Sequence, residues 1–226
     1  MLIPQHSAAS ISTTAAKEFT QEEAKQLVIN SIIEDADNFM GALTGMPSRI
    51  TLADARALIG RHTSSHTRLE SILLLNGRMK RAELLTLLGE NWSSCDYIFE
   101  YQREIRALFK DRYPIRELMN EEEQRYYDSL PDLVTCFRGA DPRRIQGLCW
   151  SLNRDVANAF PFLQRYNSHP RPLLATGQVA KRDIIAVKLD RGEEEIISYR
   201  VRTTSTKRAS KTRAAQYQRR AHGSRS

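Results

Sequence analysis

Cysteine is scarce in this chain. Cys95, Cys136 and Cys149 are odd in number, far apart, and contain no C-x-x-C pair. That pattern argues against a disulfide framework and fits a reducing compartment. Long apolar runs are also missing: no window approaches 18 uninterrupted apolar residues, which excludes a membrane-spanning helix. The opening residues, MLIPQHSAASISTTAAKEF, have neither a basic leader nor a continuous apolar stretch, so no cleaved signal peptide is read there. The expected location is the cytoplasm, or a host cell reached without a cleavable signal. Acid is absent from residue 199 onward, where nine Lys and Arg stand with no Asp or Glu; of the formal net charge of +7, the remainder of the chain carries −2. The basic character is therefore a property of one end. No internal repeat is visible.

What is present is enough for one core: 226 residues, 41% hydrophobic. Residues 1–18 are small and polar and read as a flexible lead. Residues 19–202 read as a single domain in two parts. From 19 to 130 the pattern is helical. Thr20 with Glu23 forms a capping box ahead of Ala24, Val28, Ile32, Ala36, Phe39 and Leu43 at helical spacing, ending near Gly45 and Pro47. Thr51 with Asp54 opens a short helix that stops at Gly60. Thr67 to Leu88 is apolar nearly all round, broken at Asn76-Gly77, and is expected in the core. Tyr97, Ile98, Tyr101, Ile105 and Leu108 mark another helix that ends before Tyr113-Pro114. Asn120 with Glu123 caps the last.

The period then changes. Leu133–Phe137, Ile145–Leu152, Gln178–Val179, Asp183–Leu189 and Glu194–Val201 are short runs bounded by Gly, Pro, Asp and Asn and read as strands. Asn153 opens one intervening helix, and Asp190-Arg191-Gly192 reads as a tight turn between the last two strands. The order, a helical lobe followed by a small sheet, is an α+β fold. Residues 203–226, poor in apolar groups and uniformly basic, read as a disordered tail.

Candidate chemistry gathers between 133 and 197. On a strand Glu193 and Glu195 would share a face, with Glu194 turned away; two carboxylates beside Ile196-Ile197 repel and can raise one pKa. By itself E-E-E is also what a solvated hairpin turn looks like. Arg138 closes the run LVTCF next to Gly139, where a guanidinium can clamp phosphate oxygens and a glycine lets backbone approach a flat ligand; alone, it reads equally as a surface arginine. In GLCWSLN, Cys149 and Ser151 share a face and Trp150 takes the other, as a core residue. Ser151 either orients a neighbouring carboxylate or caps the helix at Asn153. His62 and His66 stand four apart but lack a third ligand, so no metal site is read there. Cys149 as a nucleophile would need His169 as its base.

Taken in order, F-R-G, then G-x-C-W-S followed by R-D-V-A-N-A-F, then E-x-E-I-I resembles the Arg–Ser–Glu class of ADP-ribosyltransferases over roughly residues 130–200. The helical segment before them is similar to the lobe that precedes the arginine strand in that family. The resemblance implies a small split β-sheet of the ADP-ribosyltransferase type and NAD as substrate. Arg138 would hold the NAD phosphates and ribose, and Gly139 would offer its backbone to the nicotinamide amide. Ser151 would support the pocket, Glu195 would be the catalytic glutamate, and Glu193 would orient the acceptor. Phe160 or Phe162 would pack on the nicotinamide. The motif departs from the family's Ser-Thr-Ser, so either Cys149 or Ser151 takes the first serine's place. The implied activity is transfer of ADP-ribose to a protein arginine or a nucleic acid, as in toxins, effectors or phage-related modifiers. The alternative is a non-catalytic nucleic-acid-binding protein whose basic tail, with Tyr217 among its charges, contacts phosphate backbones without sequence preference.

Overall fold

The computed structural model describes residues 20–110, 113–163, 171–192 and 194–223. The expected lead over 1–18, His169 and Glu193 lie outside the described residues. Six helices come first: α1 (Gln21–Thr44), α2 (Leu52–His62), α3 (Arg68–Leu74), α4 (Arg81–Asn91), α5 (Gln102–Phe109) and α6 (Glu121–Ser129). Three of them start where their capping boxes predict. Thr20, Thr51 and Asn120 each accept from the backbone N–H three residues on, while Glu23, Asp54 and Glu123 reach back to the cap. The stripe on α1 is only half used. Phe39 and Leu43 are buried, but Leu27, Val28, Ile29 and Ile33 are exposed on the half of the helix that extends from the lobe.

The sheet follows: β1 (Leu133–Ala140), β2 (Cys149–Ser151), α7 (Arg154–Ala159), β3 (Leu173–Ala180), β4 (Ala186–Lys188), β5 (Glu195–Ile197), β6 (Arg202–Arg208) and α8 (Lys211–Gly223). The six strands lie in the order β4-β5-β2-β1-β3-β6, and the pairings are antiparallel. The α+β expectation holds. Strand extents differ from the sequence reading. β1 continues past Phe137 to Ala140, so Arg138 sits within the strand and not at its end. Gln178–Val179 is the end of an eight-residue strand, and the run from Ile145 contributes only Cys149–Ser151.

The stretch from 203 corrects the expected disordered tail. β6 hydrogen-bonds along β3, from Arg202 opposite Gln178 to Arg208 opposite Leu173, with a bulge at Thr176/Gly177. Backbone pairing on one side orders a strand that buries almost nothing of its own. Beyond it, Ala209 and Ala214 are buried, and Asn158 on α7 clasps the turn: its Nδ2–H donates to the Ser210 carbonyl (2.9 Å) and its Oδ1 accepts from the Ser210 N–H (2.8 Å). Small residues and one buried asparagine thus supply what composition lacked.

One hydrophobic core runs through lobe and sheet, from Leu58, Ile72 and Leu88 to Cys136, Trp150, Val187 and Ile196. The seam also carries a buried ion pair. Lys188 Nζ donates to Glu123 Oε2 (2.8 Å) and to the Leu118 carbonyl (3.2 Å), and Glu123 Oε1 accepts from the Leu189 N–H (3.2 Å). Both side chains are at most 5% exposed. A pair so enclosed fixes how α6 meets β4.

Candidate active site

β5 begins at Glu195, which lies opposite Ser151 on β2 and Lys188 on β4. The preceding residue, Glu194, has φ of 43°, a left-handed conformation that breaks strand alternation. The expectation that Glu193 shares a face with Glu195 falls on a residue outside the described ones. Glu195 lines a cleft of about 290 Å³.

The helical lobe holds that carboxylate. After α4 the chain turns through Trp92–Ser94 in a short 3-10 helix, with the indole of Trp92 buried against Phe109. A buried indole N–H needs an acceptor, and Trp92 Nε1 donates to Glu195 Oε1 at 2.7 Å. The neighbouring Ser93 Oγ donates to Asp190 Oδ2 (2.8 Å), tying the same turn to the loop before β5. Cys149 lines the cleft beside the same carboxylate.

Burial pushes the Glu195 carboxyl above its ordinary value, while the Trp92 hydrogen bond, the nearby Cys149 thiol and the charges of Arg138 and Lys188 oppose the rise. The residue keeps some exposure along the cleft, but protein surrounds most of its carboxyl. Burial beside that carboxylate also pushes the Cys149 thiol well up, so it stays protonated. The choice between Cys149 and Ser151 is thereby sharpened. Cys149 lines the cleft together with Glu195. Ser151 lies across the ladder from it, but its hydroxyl accepts from the Asn153 N–H (2.9 Å) and lies against the Asn153 carbonyl (3.0 Å) at the start of α7.

Arg138 lines the cleft beside Gly139. Its guanidinium spans the loop between β1 and β2: Nε donates to the Arg144 carbonyl (3.1 Å) and an Nη to the Cys149 carbonyl. Gly147 makes room for it, since a Cβ there would come within 2.1 Å of the Arg138 guanidinium. Gly139 has a packing reason as well: a Cβ would fall 1.8 Å from the Ala157 carbonyl, so only glycine lets α7 lie this close to β1.

Phe160 lines the cleft, but Phe162 does not; it packs with Ala157, Leu174 and Ala209 on the far side of α7. The rim carries aromatics that sequence reasoning missed. Tyr97 is 44% exposed with φ of 62°, and Phe99 is 36% exposed under the guanidinium of Arg144. Tyr97 had read as a helix residue because its spacing to Tyr101 is helical; the structure places both before α5. His66 lies 5.7 Å from Tyr97, ring to ring. Trp150 is core, as its strand face implied, with Nε1 donating to the Gly147 carbonyl (3.0 Å).

The cleft combines the Glu195 carboxylate, two arginines, exposed rings and three further carboxylates, Asp96, Glu100 and Asp141, of which Glu100 pairs with Arg144 at 2.7 Å and Asp141 lies 3.9 Å from it. The exposed rings suit flat groups, and the carboxylates suit a centre of positive charge. Among the described residues no group of three or more His, Cys, Asp or Glu is placed to hold a metal ion, and no helix is long and apolar enough to cross a membrane. No protein-family model, curated protein or solved structure matches the chain.

Proposed function

We propose that the protein is a mono-ADP-ribosyltransferase that moves ADP-ribose from NAD to a macromolecular acceptor. The observation that carries the reading is Glu195, an enclosed carboxylate held by Trp92 in a cleft that Arg138 and Cys149 also line. The motif order that resembles the Arg–Ser–Glu transferases supports it, with Glu195 in the position of the catalytic glutamate.

In the reaction the bond between nicotinamide and ribose breaks, and its electron pair leaves on the nicotinamide nitrogen, which becomes neutral. An acceptor nitrogen or oxygen closes on the ribose carbon and releases its proton to solvent. Positive charge grows on the ribose between these events. A carboxylate about 4 Å away contributes roughly 4 kcal/mol at an effective dielectric of about 20, close to a thousandfold in rate. Glu195 is preorganised for that task, because the Trp92 hydrogen bond fixes its position before substrate arrives. Arg138 and the rim rings would lie along the phosphates and bases, and Glu193 would orient the acceptor.

Incubating the protein with NAD labelled on its adenylate half and a cell lysate, then separating protein from nucleic acid, tests the reading. Label on either fraction supports it and identifies the acceptor class. Unlabelled fractions from an active, folded preparation count against it.

A further inference from the structure

β6 is the outer strand of the sheet, and its side chains are almost all exposed: Arg202, Thr204, Ser205, Thr206, Lys207 and Arg208. Lys211 and Arg213 follow in the first turn of α8 and are exposed too. Among the described residues no carboxylate pairs with Lys207, Arg208, Lys211 or Arg213. A cationic edge is one means of preventing strand-to-strand association, which would account for β6. It does not account for Lys211 and Arg213. They stand at the positive end of a helix whose first turn has no acid, where cations weaken the helix.

We propose that the edge formed by β6 and the first turn of α8 binds the sugar-phosphate backbone of nucleic acid without sequence preference. The surface has what phosphate contacts use: cations, with hydroxyls from Thr204, Ser205 and Thr206 interleaved. It lacks what a membrane surface requires. The side of α8 that carries Ala214 is buried, and its exposed described residues, Lys211, Thr212, Arg213, Gln216 and Arg219, are all polar.

The edge also lies close to the cleft. Arg138, Ala175 and Thr206 are partners across three adjacent strands, which places Thr206 about 10 Å from Arg138 at the usual strand spacing. Gln146 Nε2, from the loop at the cleft rim, donates to Thr203 Oγ1 at 3.3 Å. A strand bound along β6 would therefore run beside the cleft. Binding itself does not depend on the transferase reading.

The test is fluorescence anisotropy with short labelled single- and double-stranded oligonucleotides of unrelated sequence. Four phosphate contacts predict a fall in affinity of about a hundredfold between 50 and 200 mM salt. Replacing Lys207, Arg208, Lys211 and Arg213 together with Glu is expected to abolish binding at the lower salt. The acids at Lys211 and Arg213 face the helix dipole favourably, so circular dichroism should report an intact fold; Lys207→Gln with Arg208→Gln, expected to weaken binding at least tenfold, serves if it does not. Glu195→Gln should bind like wild type, so this inference and the transferase reading fail separately. Overturning results are wild type that does not bind, binding unchanged by the substitutions, a salt effect smaller than about tenfold, or capture by phosphatidylserine vesicles without capture of oligonucleotides.

Discussion

Replacing Trp92 with Phe removes one donor from Glu195 and keeps most of the buried ring. A hydrogen bond to a charged group contributes about 1.5–3 kcal/mol, and the 2.7 Å contact is of that kind. In a protein of this size the loss corresponds to a fall of about 5–10 °C in Tm near neutral pH. The smaller ring also leaves a void beside Phe109, but that cost does not vary with pH. The hydrogen-bond term does. Glu195 has a folded pKa raised above its ordinary 4.5, so its contribution to stability is complete below 4.5 and is lost as pH rises through the raised value. Without the indole donor the folded pKa rises further, and the loss continues over a wider range. Wild type and Trp92→Phe should therefore be nearest in stability under acid conditions and diverge toward neutral pH. Urea unfolding at a series of pH values measures the gap. A gap that stays constant from acid to neutral pH would refute the assigned role of Trp92.

Lys188→Met should destabilise by about 3–5 kcal/mol, because Glu123 would be left as a buried charge without its cation; denaturant midpoints check this. All three thiols should resist alkylation in the native protein near neutral pH and react once it is unfolded, since burial pushes Cys95 and Cys136 to about 12 and Cys149 well up. Mass spectrometry after iodoacetamide treatment counts them. Rapid native modification of Cys149 would contradict the enclosure described for Glu195.

Local signals in the sequence proved legible. Thr20, Thr51 and Asn120 each announce a helix because a cap and its return partner lie three residues apart. The change of period after Leu130 announces the sheet, and the turn at Asp190–Gly192 does join two neighbouring strands, β4 and β5. What long-range contact decides was not legible. Trp92 and Glu195 are 103 residues apart, and the only hint was that a buried tryptophan needs an acceptor. Whether Cys149 or Ser151 reaches the carboxylate depends on where each side chain goes once β2 is paired, and Ser151 turns to Asn153. β6 was misread because apolar content measures side-chain burial, whereas its order comes from backbone pairing with β3 and from Asn158 holding Ser210. An arginine's reach cannot be read from sequence: the bonds of Arg138 to the carbonyls of Arg144 and Cys149 give it a task beyond ligand phosphates, holding the loop beside the cleft.

Nicotinamide release from NAD, measured for wild type and Glu195→Gln side by side, tests the central claim most directly. The amide keeps the shape of the carboxylate and can still accept from Trp92, but carries no charge. The expected result is release by wild type and a fall of about a thousandfold in the variant, with both proteins folded. Release that is equal in the two, or absent from folded wild type, would contradict the account.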